Sequence, residues 1–291
     1  MDNSNIVVKK LADRFWVKTS QGTLCSRPMG KLKANGIFVG DLVEIKEEKQ
    51  EFFITKVLER KNKLIRPPLA NLEQLLIVVA TVPKPDFFIV DKLLLFAYSN
   101  GIEPVLVVNK IDIDTDVSEY VQTTYSSFVK TVFVSAKSQS GLDDLKQILR
   151  GKISAFSGQS AVGKSALINS LFPEYKVMEG ELSEKIERGK NTTRHTEIFV
   201  SEDIYIADTA GFTSLDETLL PIKYYELPFY YPDYLEPKKQ CKYNTCVHYK
   251  EPREECCIKT LVYQGDLDRQ RYERYRKIYE ILNERWVKTH G

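Results

Sequence analysis

The stretch GQSAVGKS occupies Gly158 to Ser165 of the 291-residue chain. It follows KISAFS, a short apolar segment that predicts a strand, and it opens GKSALINSLF, a segment that predicts a helix. The pattern G-x-x-x-x-G-K-S in this context is typical of a loop whose backbone N–H groups surround phosphates. We therefore predict a phosphate-binding loop. Its members are Gly158, Gln159, Ser160, Ala161, Val162, Gly163, Lys164, Ser165 and Ala166.

Two side chains of this loop carry the chemistry of a nucleoside triphosphate site. Lys164 is expected to reach the β- and γ-phosphates, and the Ser165 hydroxyl is expected to bind magnesium. A further part of the site is predicted in DTAG at 208–211, which follows the apolar segment DIYIA. Asp208 would hold the magnesium shell, and the Gly211 N–H would face the γ-phosphate.

A second motif, NKID at 109–112, indicates which base is bound. The Asp112 carboxylate only accepts hydrogen bonds; guanine offers it two donors, whereas adenine offers a lone pair at N1. A site built on such a polar pair discriminates by roughly 10⁴-fold or more. We therefore predict that Asn109, Lys110 and Asp112 bind GTP or GDP rather than adenine nucleotides.

The tripeptide SAK, formed by Ser135, Ala136 and Lys137, follows the predicted strand TVFVS. In that place, downstream of NKID, the Ala136 N–H can meet the guanine O6. The motif order is NKID, SAK, phosphate loop, a threonine loop and DTAG, which is a circular permutation of the usual GTPase order. Permutation is tolerated where the former termini lay close together, so one pocket can still form.

Alternating strands and helices in the centre of the chain predict a parallel α/β sheet covered on both faces. Each motif follows the carboxyl end of a strand, where such sheets bind ligands. The first sixty or so residues instead read as five short strands, which predict an OB-fold β-barrel. That barrel either binds oligonucleotide or only packs on its neighbour. We predict domains at 1–66, 67–225 and 226–291, with a linker near Arg66 to Pro68.

Composition narrows the class of protein. Lys plus Arg is 42 and Asp plus Glu is 40, so the formal charge of +2 gives no global attraction to nucleic acid. The start lacks the apolar core of a signal peptide, and the apolar run at Leu75 to Val82 is too short to span a bilayer. These features predict a cytoplasmic protein with no membrane partner. Cys25 stands apart from the other cysteines in the sequence, and we predict that it is a buried small apolar residue.

Four of the five cysteines fall between Cys241 and Cys257. Three thiolates and an imidazole in this short span suit one closed, structural zinc site, in which no position is open for catalysis. The spacing leaves Cys256 and Cys257 as competitors for the last place, and buried thiols or a disulfide remain the alternatives. The predicted ligands are Cys241, Cys246, His248 and Cys256.

The segment that closes the chain, DLDRQRYERYRKIYEILNERW, has a helical pattern rich in Arg and Tyr. Arginine and tyrosine together suit phosphate contacts and base stacking. Glu273 and Glu280 interrupt the charge, so a merely solvated amphipathic helix is the alternative. The basic residues are Arg269, Arg271, Arg274, Arg276 and Lys277, beside Tyr272, Tyr275 and Tyr279.

The motif order, with a barrel before it and a Cys/His cluster after it, resembles the ribosome small-subunit-dependent GTPase family of the RsgA or YjeQ type. The resemblance covers nearly the whole chain. It implies an OB barrel, a permuted GTPase domain with magnesium and a zinc domain with helices. It also implies a monomer that binds the small ribosomal subunit and its rRNA in late maturation, with GTP hydrolysis stimulated by the subunit.

The resemblance also assigns residues. RGKNTTRH at 188–195 is similar to the family's R-H-T-T-T switch stretch, so Thr192 or Thr193 is expected to close on magnesium and the γ-phosphate. An ordinary polar loop is the alternative; our site takes Thr193. The CIK that follows Cys256 falls where the family has C-x-V-K, which favours Cys256 over Cys257. The catalytic set is Lys164, Thr193, Asp208 and Gly211, and the magnesium set is Ser165, Thr193 and Asp208.

Phe212 stands where many GTPases carry a glutamine that orients the attacking water. A phenyl ring cannot hydrogen-bond that water, so we predict slow intrinsic hydrolysis that a partner accelerates. His195 either positions water or has no role. Two other classes remain: a GTP-gated scaffold whose hydrolysis is incidental, and a GTPase that acts on a protein target without RNA.

Overall fold

The computed structural model describes residues 5–32, 34–113, 115–173, 196–208 and 220–290. The predicted barrel is formed by β1 (Asn5–Leu11), β2 (Arg14–Thr19), β3 (Gly22–Pro28), β4 (Leu42–Glu48) and β5 (Glu51–Val57). β1 pairs with both β2 and β4, and β3 joins β2 to β5, so the strands close on one another. Alternate side chains fill the interior, among them Val7, Phe15 and Ile54, which are fully buried.

The prediction that Cys25 is buried was wrong. Cys25 is exposed on β3, whereas the next residue, Ser26, is buried. Successive side chains of a strand point to opposite faces, so the register of β3 places Cys25 outside the barrel.

A short hairpin follows the barrel. Its strands are β6 (Lys63–Leu64) and β7 (Leu69–Ala70), and the predicted linker at 66–68 is the turn between them. Gly40 packs on this hairpin with a φ of +88°, and a Cβ at that position would lie 2.0 Å from the Ala70 carbonyl oxygen. Only glycine permits so close a backbone approach.

The central sheet confirms the predicted α/β class. Its strands are β8 (Gln74–Ala80), β9 (Glu103–Asn109), β10 (Lys130–Phe133), β11 (Ile153–Gly158), β12 (Glu197–Ser201) and β13 (Ile204–Asp208). They lie in the order β10-β9-β8-β11-β13-β12, and all pairs are parallel except β12 with β13. The helices that cover the sheet are α1 (Phe87–Ser99), α2 (Asp116–Thr124), α3 (Leu142–Leu149) and α4 (Lys164–Leu171).

The C-terminal region packs helices around a tyrosine-rich core and a buried Cys/His cluster. Tyr231, Tyr234 and Tyr275 are buried in this core. The helices are α5 (Pro232–Lys238), α6 (Cys257–Gln264) and α7 (Arg269–His290), with short 3-10 turns at Tyr224–Tyr230 and Arg253–Glu255. Within the ranges described above, none of the helices combines the length and apolar character needed to cross a membrane.

The closing helix differs from both interpretations of its sequence. Arg271 and Arg274 point into the molecule, where they pair with Asp91 of α1. Tyr272, Tyr275 and Tyr279 are buried as well. These residues are therefore not available to RNA, which leaves Arg269, Arg276 and Lys277 as accessible cations. The boundaries 1–66, 67–225 and 226–291 stay a prediction.

Candidate functional site

The phosphate loop has the backbone shape that its glycines predict. Gly158 has a φ of +126°, and a Cβ there would lie 2.3 Å from the Val78 carbonyl oxygen of β8. Gly163 has a φ of +96°, and its Cβ would lie 2.4 Å from Nδ2 of Asn109. Larger residues would push the loop away from β8 and from the NKID motif.

The base-reading motif contacts the phosphate loop directly. Asn109 donates from Nδ2 to the Val162 carbonyl at 2.9 Å. Lys110 donates from Nζ to the carbonyls of Ala161, at 2.9 Å, and Val82, at 2.6 Å. Two motifs whose order along the chain is inverted therefore lie side by side, as one nucleotide requires.

The guanine side of the pocket is held by hydrogen bonds between its loops. Ser135 donates from Oγ to Asp112 at 2.6 Å, and this bond lowers the pKa of the exposed Asp112 carboxylate. The Ala136 N–H donates to Oδ1 of Asn109 at 3.2 Å. An ionised, exposed carboxylate next to SAK has the acceptor chemistry that the guanine edge requires.

Lys164 is buried beneath the loop. It donates from Nζ to the carbonyls of Gly158, at 2.9 Å, and Gln159, at 2.7 Å. Burial lowers its pKa to about 8. A phosphate near this ammonium would favour the charged form, because opposite charge raises a lysine pKa.

Sequence reasoning missed two supports of the pocket. The backbone N–H of Asp86 donates to Oε1 of Gln159 at 3.0 Å, and the Asp86 carboxylate caps α1 through the Phe88 N–H. Gln139 donates to the Ala136 carbonyl at 2.6 Å and to Ser170 of α4 at 3.2 Å. An Asp ahead of an apolar helical pattern signals a helix start and could have revealed the first support.

Beyond the phosphate loop, only the backbone of Asp208 is described among the residues predicted to face the γ-phosphate. The backbone of Asp208 ends β13, which lies beside β11, the strand that leads into the phosphate loop. The predicted residues Thr192, Thr193, His195, Gly211 and Phe212 lie outside the described residues.

The structure brings the four predicted zinc residues together. The ligand atoms of Cys241, Cys246, His248 and Cys256 all lie within 4.8 Å of one another, and all four residues are buried. Nδ1 of His248 lies 3.3 to 3.8 Å from the three sulfurs. Cys257 lies outside this group, with its sulfur 3.8 Å from Oε1 of Gln240.

The electrostatics of this cluster fit a metal. Burial lowers the pKa of His248 to about 4, which keeps the imidazole neutral, and burial raises the pKa of the Cys246 thiol. A bound cation displaces the thiol protons despite this raised pKa, and three sulfurs with one imidazole match the donors that zinc prefers.

The closing helix holds the cluster in place through tyrosine hydroxyls. Tyr272 donates to the His248 carbonyl at 2.8 Å, and Tyr275 donates to the Val247 carbonyl at 2.6 Å. The carboxylate of Glu251 accepts from the N–H groups of Val247 and Tyr249, at 2.8 and 2.9 Å. A metal here would therefore fix both the loop and α7.

The family models and relatives that match this chain are GTPases. The family model described as RsgA GTPase matches residues 57–218, and the model described as 50S ribosome-binding GTPase matches residues 153–284. The chain is 37% identical to the small ribosomal subunit biogenesis GTPase RsgA of Caldanaerobacter subterraneus subsp. tengcongensis, over 96% of this chain and 95% of that protein.

Two solved structures are similar over nearly the whole chain. The crystal structure of YjeQ from Thermotoga maritima has a TM-score of 0.80 and 32% identity, covering 96% of this chain and 98% of that one. YloQ, described as a circularly permuted GTPase, has a TM-score of 0.79 and 28% identity, covering 97% and 96%. The likeness includes the barrel, the permuted domain and the C-terminal region.

Proposed function

We propose a function from one premise: this chain belongs to the RsgA family of circularly permuted GTPases. It is a GTP hydrolase. The proposal is that it binds the small ribosomal subunit through rRNA, acts in late maturation of that subunit, and hydrolyses GTP slowly until the subunit stimulates it. We place this activity in the cytoplasm and assign it to a monomer.

One observation carries the proposal. Asn109 and Lys110 hydrogen-bond the carbonyls of Val162 and Ala161 in the phosphate loop. This contact supports the proposal, because a guanine bound by NKID would lie next to a loop suited to hold its phosphates.

We assign the residues of the pocket as follows. Asp112 would accept the two guanine donors, and the Ala136 N–H, which donates to Oδ1 of Asn109 in the structure, would turn to the base O6 when guanine binds. Lys164 binds the β- and γ-phosphates, and the backbone N–H groups of residues 158–166 surround them. Ser135 and Lys137 complete the guanine side, and Thr193 and Gly211 face the γ-phosphate. Ser165, Thr193 and Asp208 would hold a magnesium ion, which would supply positive charge to the phosphate oxygens.

The proposed zinc ligands are Cys241, Cys246, His248 and Cys256. Zinc supplies structure here and no chemistry, because four protein ligands leave no position for water. The partner is required for another reason: Phe212 offers no hydrogen bond to the attacking water, so the small subunit must complete the catalytic arrangement.

We further propose that loss of the γ-phosphate weakens binding to rRNA. In the sequence, DTAG stands near the end of the GTPase domain and leads toward the C-terminal region, so a change at its glycine would reposition that region and its RNA-binding surface. Affinity of the GTP and GDP forms for isolated small subunits tests this step. Equal affinities would leave no differential interaction to drive release.

The main experiment measures GTP turnover with isolated small subunits, with large subunits and with neither. We expect strong stimulation by small subunits alone. Lys164→Ala, which removes the phosphate-binding ammonium, should abolish turnover in every condition. Fast turnover without subunits, or equal stimulation by large subunits, would contradict the proposal. The alternative, a GTPase that acts on a protein target without RNA, is tested by the salt dependence of subunit binding. Binding through rRNA should weaken as the salt concentration rises, and binding that does not weaken would favour the alternative.

A further inference from the structure

A groove of about 630 Å³ lies in the C-terminal region, away from the nucleotide pocket. Its walls are α6, α7 and the segment just after His248, and it is lined by Tyr249, Arg253, Tyr263, Arg269 and Arg276 among others. The volume is within the range of roughly 300–1,000 Å³ that bound ligands occupy. None of these residues belongs to the four that form the Cys/His cluster.

The groove concentrates positive charge in a chain whose net charge is only +2. Arg253, Lys259, Arg269 and Arg276 line it, against a single carboxylate, Glu273. Lys259 is already engaged with the carbonyls of Tyr249 and Glu251, at 2.8 and 2.6 Å. The three guanidiniums are therefore the groups that can bind an anionic ligand.

The partners of these arginines leave them accessible. Arg253 is 3.5 Å from Glu254, and its side chain is 47% exposed. Arg276 pairs with Glu273 at 3.2 Å and is 40% exposed. Among the described residues, the side chain of Arg269 has no hydrogen-bond or ion-pair partner, and the residue is exposed. Exposed ion pairs are weak, so a phosphate can displace them.

An exposed aromatic ring lies among these charges. Tyr263 is 74% exposed, and the guanidinium carbon of Arg253 lies 4.2 Å from the centre of its ring. An accessible ring with a stacked arginine is the arrangement on which proteins stack unpaired bases. An acidic peptide would use the arginines but gain little from the ring.

The segment that carries His248 of the Cys/His cluster is bonded to two residues that line the groove. Tyr272, which lines the groove, donates to the His248 carbonyl at 2.8 Å. Lys259 ties the start of α6 to the same segment through the Tyr249 carbonyl. The groove is thus a product of the fold that the cluster stabilises.

We propose that this groove binds a single-stranded segment of RNA, with one base stacked on Tyr263 and phosphates held by Arg253, Arg269 and Arg276. The proposal rests on the proposed function, since it names the part of the chain that meets rRNA. A single strand is specified because bases inside a duplex are already stacked and cannot reach the ring.

The test uses the full-length, zinc-loaded protein and a labelled oligouridine, with binding followed by fluorescence anisotropy. Tyr263→Ala should weaken binding roughly five- to a hundred-fold, the loss expected for one stacked base. Tyr263→Phe, which keeps the ring, should bind like the wild type. Arg269→Ala should reduce the slope of log affinity against log salt concentration by about 0.7, the value for one lost phosphate contact with a single strand.

Tyr243→Ala is the matched control. Tyr243 is 44% exposed beside Lys242 in the same region, but it lies outside the groove. The Tyr243→Ala variant should bind oligouridine as the wild type does, and the zinc content of every variant should be unchanged.

Two results would overturn the proposal. One is oligouridine binding that Tyr263→Ala leaves unchanged. The other is a competition experiment in which duplex RNA or polyglutamate displaces the oligouridine as effectively as an unlabelled single strand does. Subunit-stimulated GTP turnover of the wild type is measured in parallel. Its failure would reject the proposed function, whereas unaffected oligouridine binding would reject only the groove.

Discussion

The GTPase domain meets its two neighbours through junctions of opposite kinds. Toward the barrel, β1 pairs with β12 at Lys9 and Glu197, and a salt bridge of 2.9 Å joins the two side chains. Those side chains are 40% and 37% exposed. The barrel junction therefore combines backbone pairing, a solvated ion pair that contributes little to stability, and apolar packing of Ile6, Val8 and Val39 on the GTPase core, with no buried ion pair between the described residues of β1 and β12.

Toward the C-terminal region, the junction is a buried charge network. The Asp91 carboxylate of α1 is fully buried and accepts hydrogen bonds from Arg271, Arg274 and Tyr125. Arg271 also binds Asp233 of α5 through two hydrogen bonds of 3.0 Å. Burial opposes the charge on Arg271, but Asp91 and Asp233 outweigh it and raise the pKa of Arg271 well above its ordinary value.

The comparison indicates where the molecule can move. Separating α7 from α1 would leave several buried charges without their partners. Removing one partner of a buried ion pair costs about 3–5 kcal/mol. Separating β1 from β12 leaves no buried charge of the described residues unpaired, although it uncovers the apolar side chains of Ile6 and Val8. We therefore expect the C-terminal region to move together with α1, and the barrel junction to be the more adaptable one.

The largest predicted effect comes from removing a ligand of the proposed zinc site in the C-terminal region. Cys246→Ser should abolish zinc binding and unfold the region after residue 220, because structural zinc contributes about 10–16 kcal/mol. Bound zinc and helical circular dichroism measure the effect. Cys257→Ser is the control and should retain zinc; zinc lost from both variants would contradict the choice of Cys256.

The next prediction breaks the charged junction itself. Asp91→Ala leaves the guanidiniums of Arg271 and Arg274 without their shared carboxylate, so the free energy of unfolding should fall by about 3–5 kcal/mol. Urea denaturation measures the change. Glu273→Ala removes an exposed partner of Arg276 on the same helix and should cost less than about 1 kcal/mol. Similar losses in both variants would mean that burial of the network is unimportant.

A pH titration separates the nucleotide pocket from both junctions. Lys164 has a pKa of about 8 without nucleotide, and phosphate binding favours its charged form, so binding takes up a proton above pH 8. Below that pH the lysine is charged in both states and affinity is constant. GTP affinity should fall roughly tenfold from pH 7 to pH 9.

Lys164→Arg is the control for this titration, because a guanidinium stays charged over the whole range. Any loss that the arginine variant shares belongs to the nucleotide. A flat wild-type profile would show that Lys164 does not titrate near pH 8.

The smallest effect is expected at the barrel junction. Lys9→Ala removes the ion pair with Glu197 but leaves the β1 to β12 pairing, so the free energy of unfolding should fall by at most about 1 kcal/mol. Lys18→Ala, on the neighbouring strand, gives the baseline for an exposed lysine. A loss as large as that of Asp91→Ala would make the two junctions equivalent.

The sequence predicted that NKID and the phosphate loop lie together, and the structure brings them into contact, because each motif is continuous and ends a strand. NKID and the phosphate loop needed only the rule that parallel strands share a carboxyl edge. The inward direction of Arg271 was not predictable, because its partner Asp91 lies 180 positions away. Cys25 was missed for a local reason: a one-residue change of strand register exchanges the two faces.

The contacts of Asn109 and Lys110 with the phosphate loop have an evolutionary consequence. Their side chains serve as struts for Val162 and Ala161 as well as belonging to the base-reading motif. A substitution at either position is therefore expected to disturb the phosphate loop as well as the base side of the pocket. Asp112 bonds Ser135 instead of the loop, so selection is freer to change base preference at Asp112 than at its two neighbours in the motif.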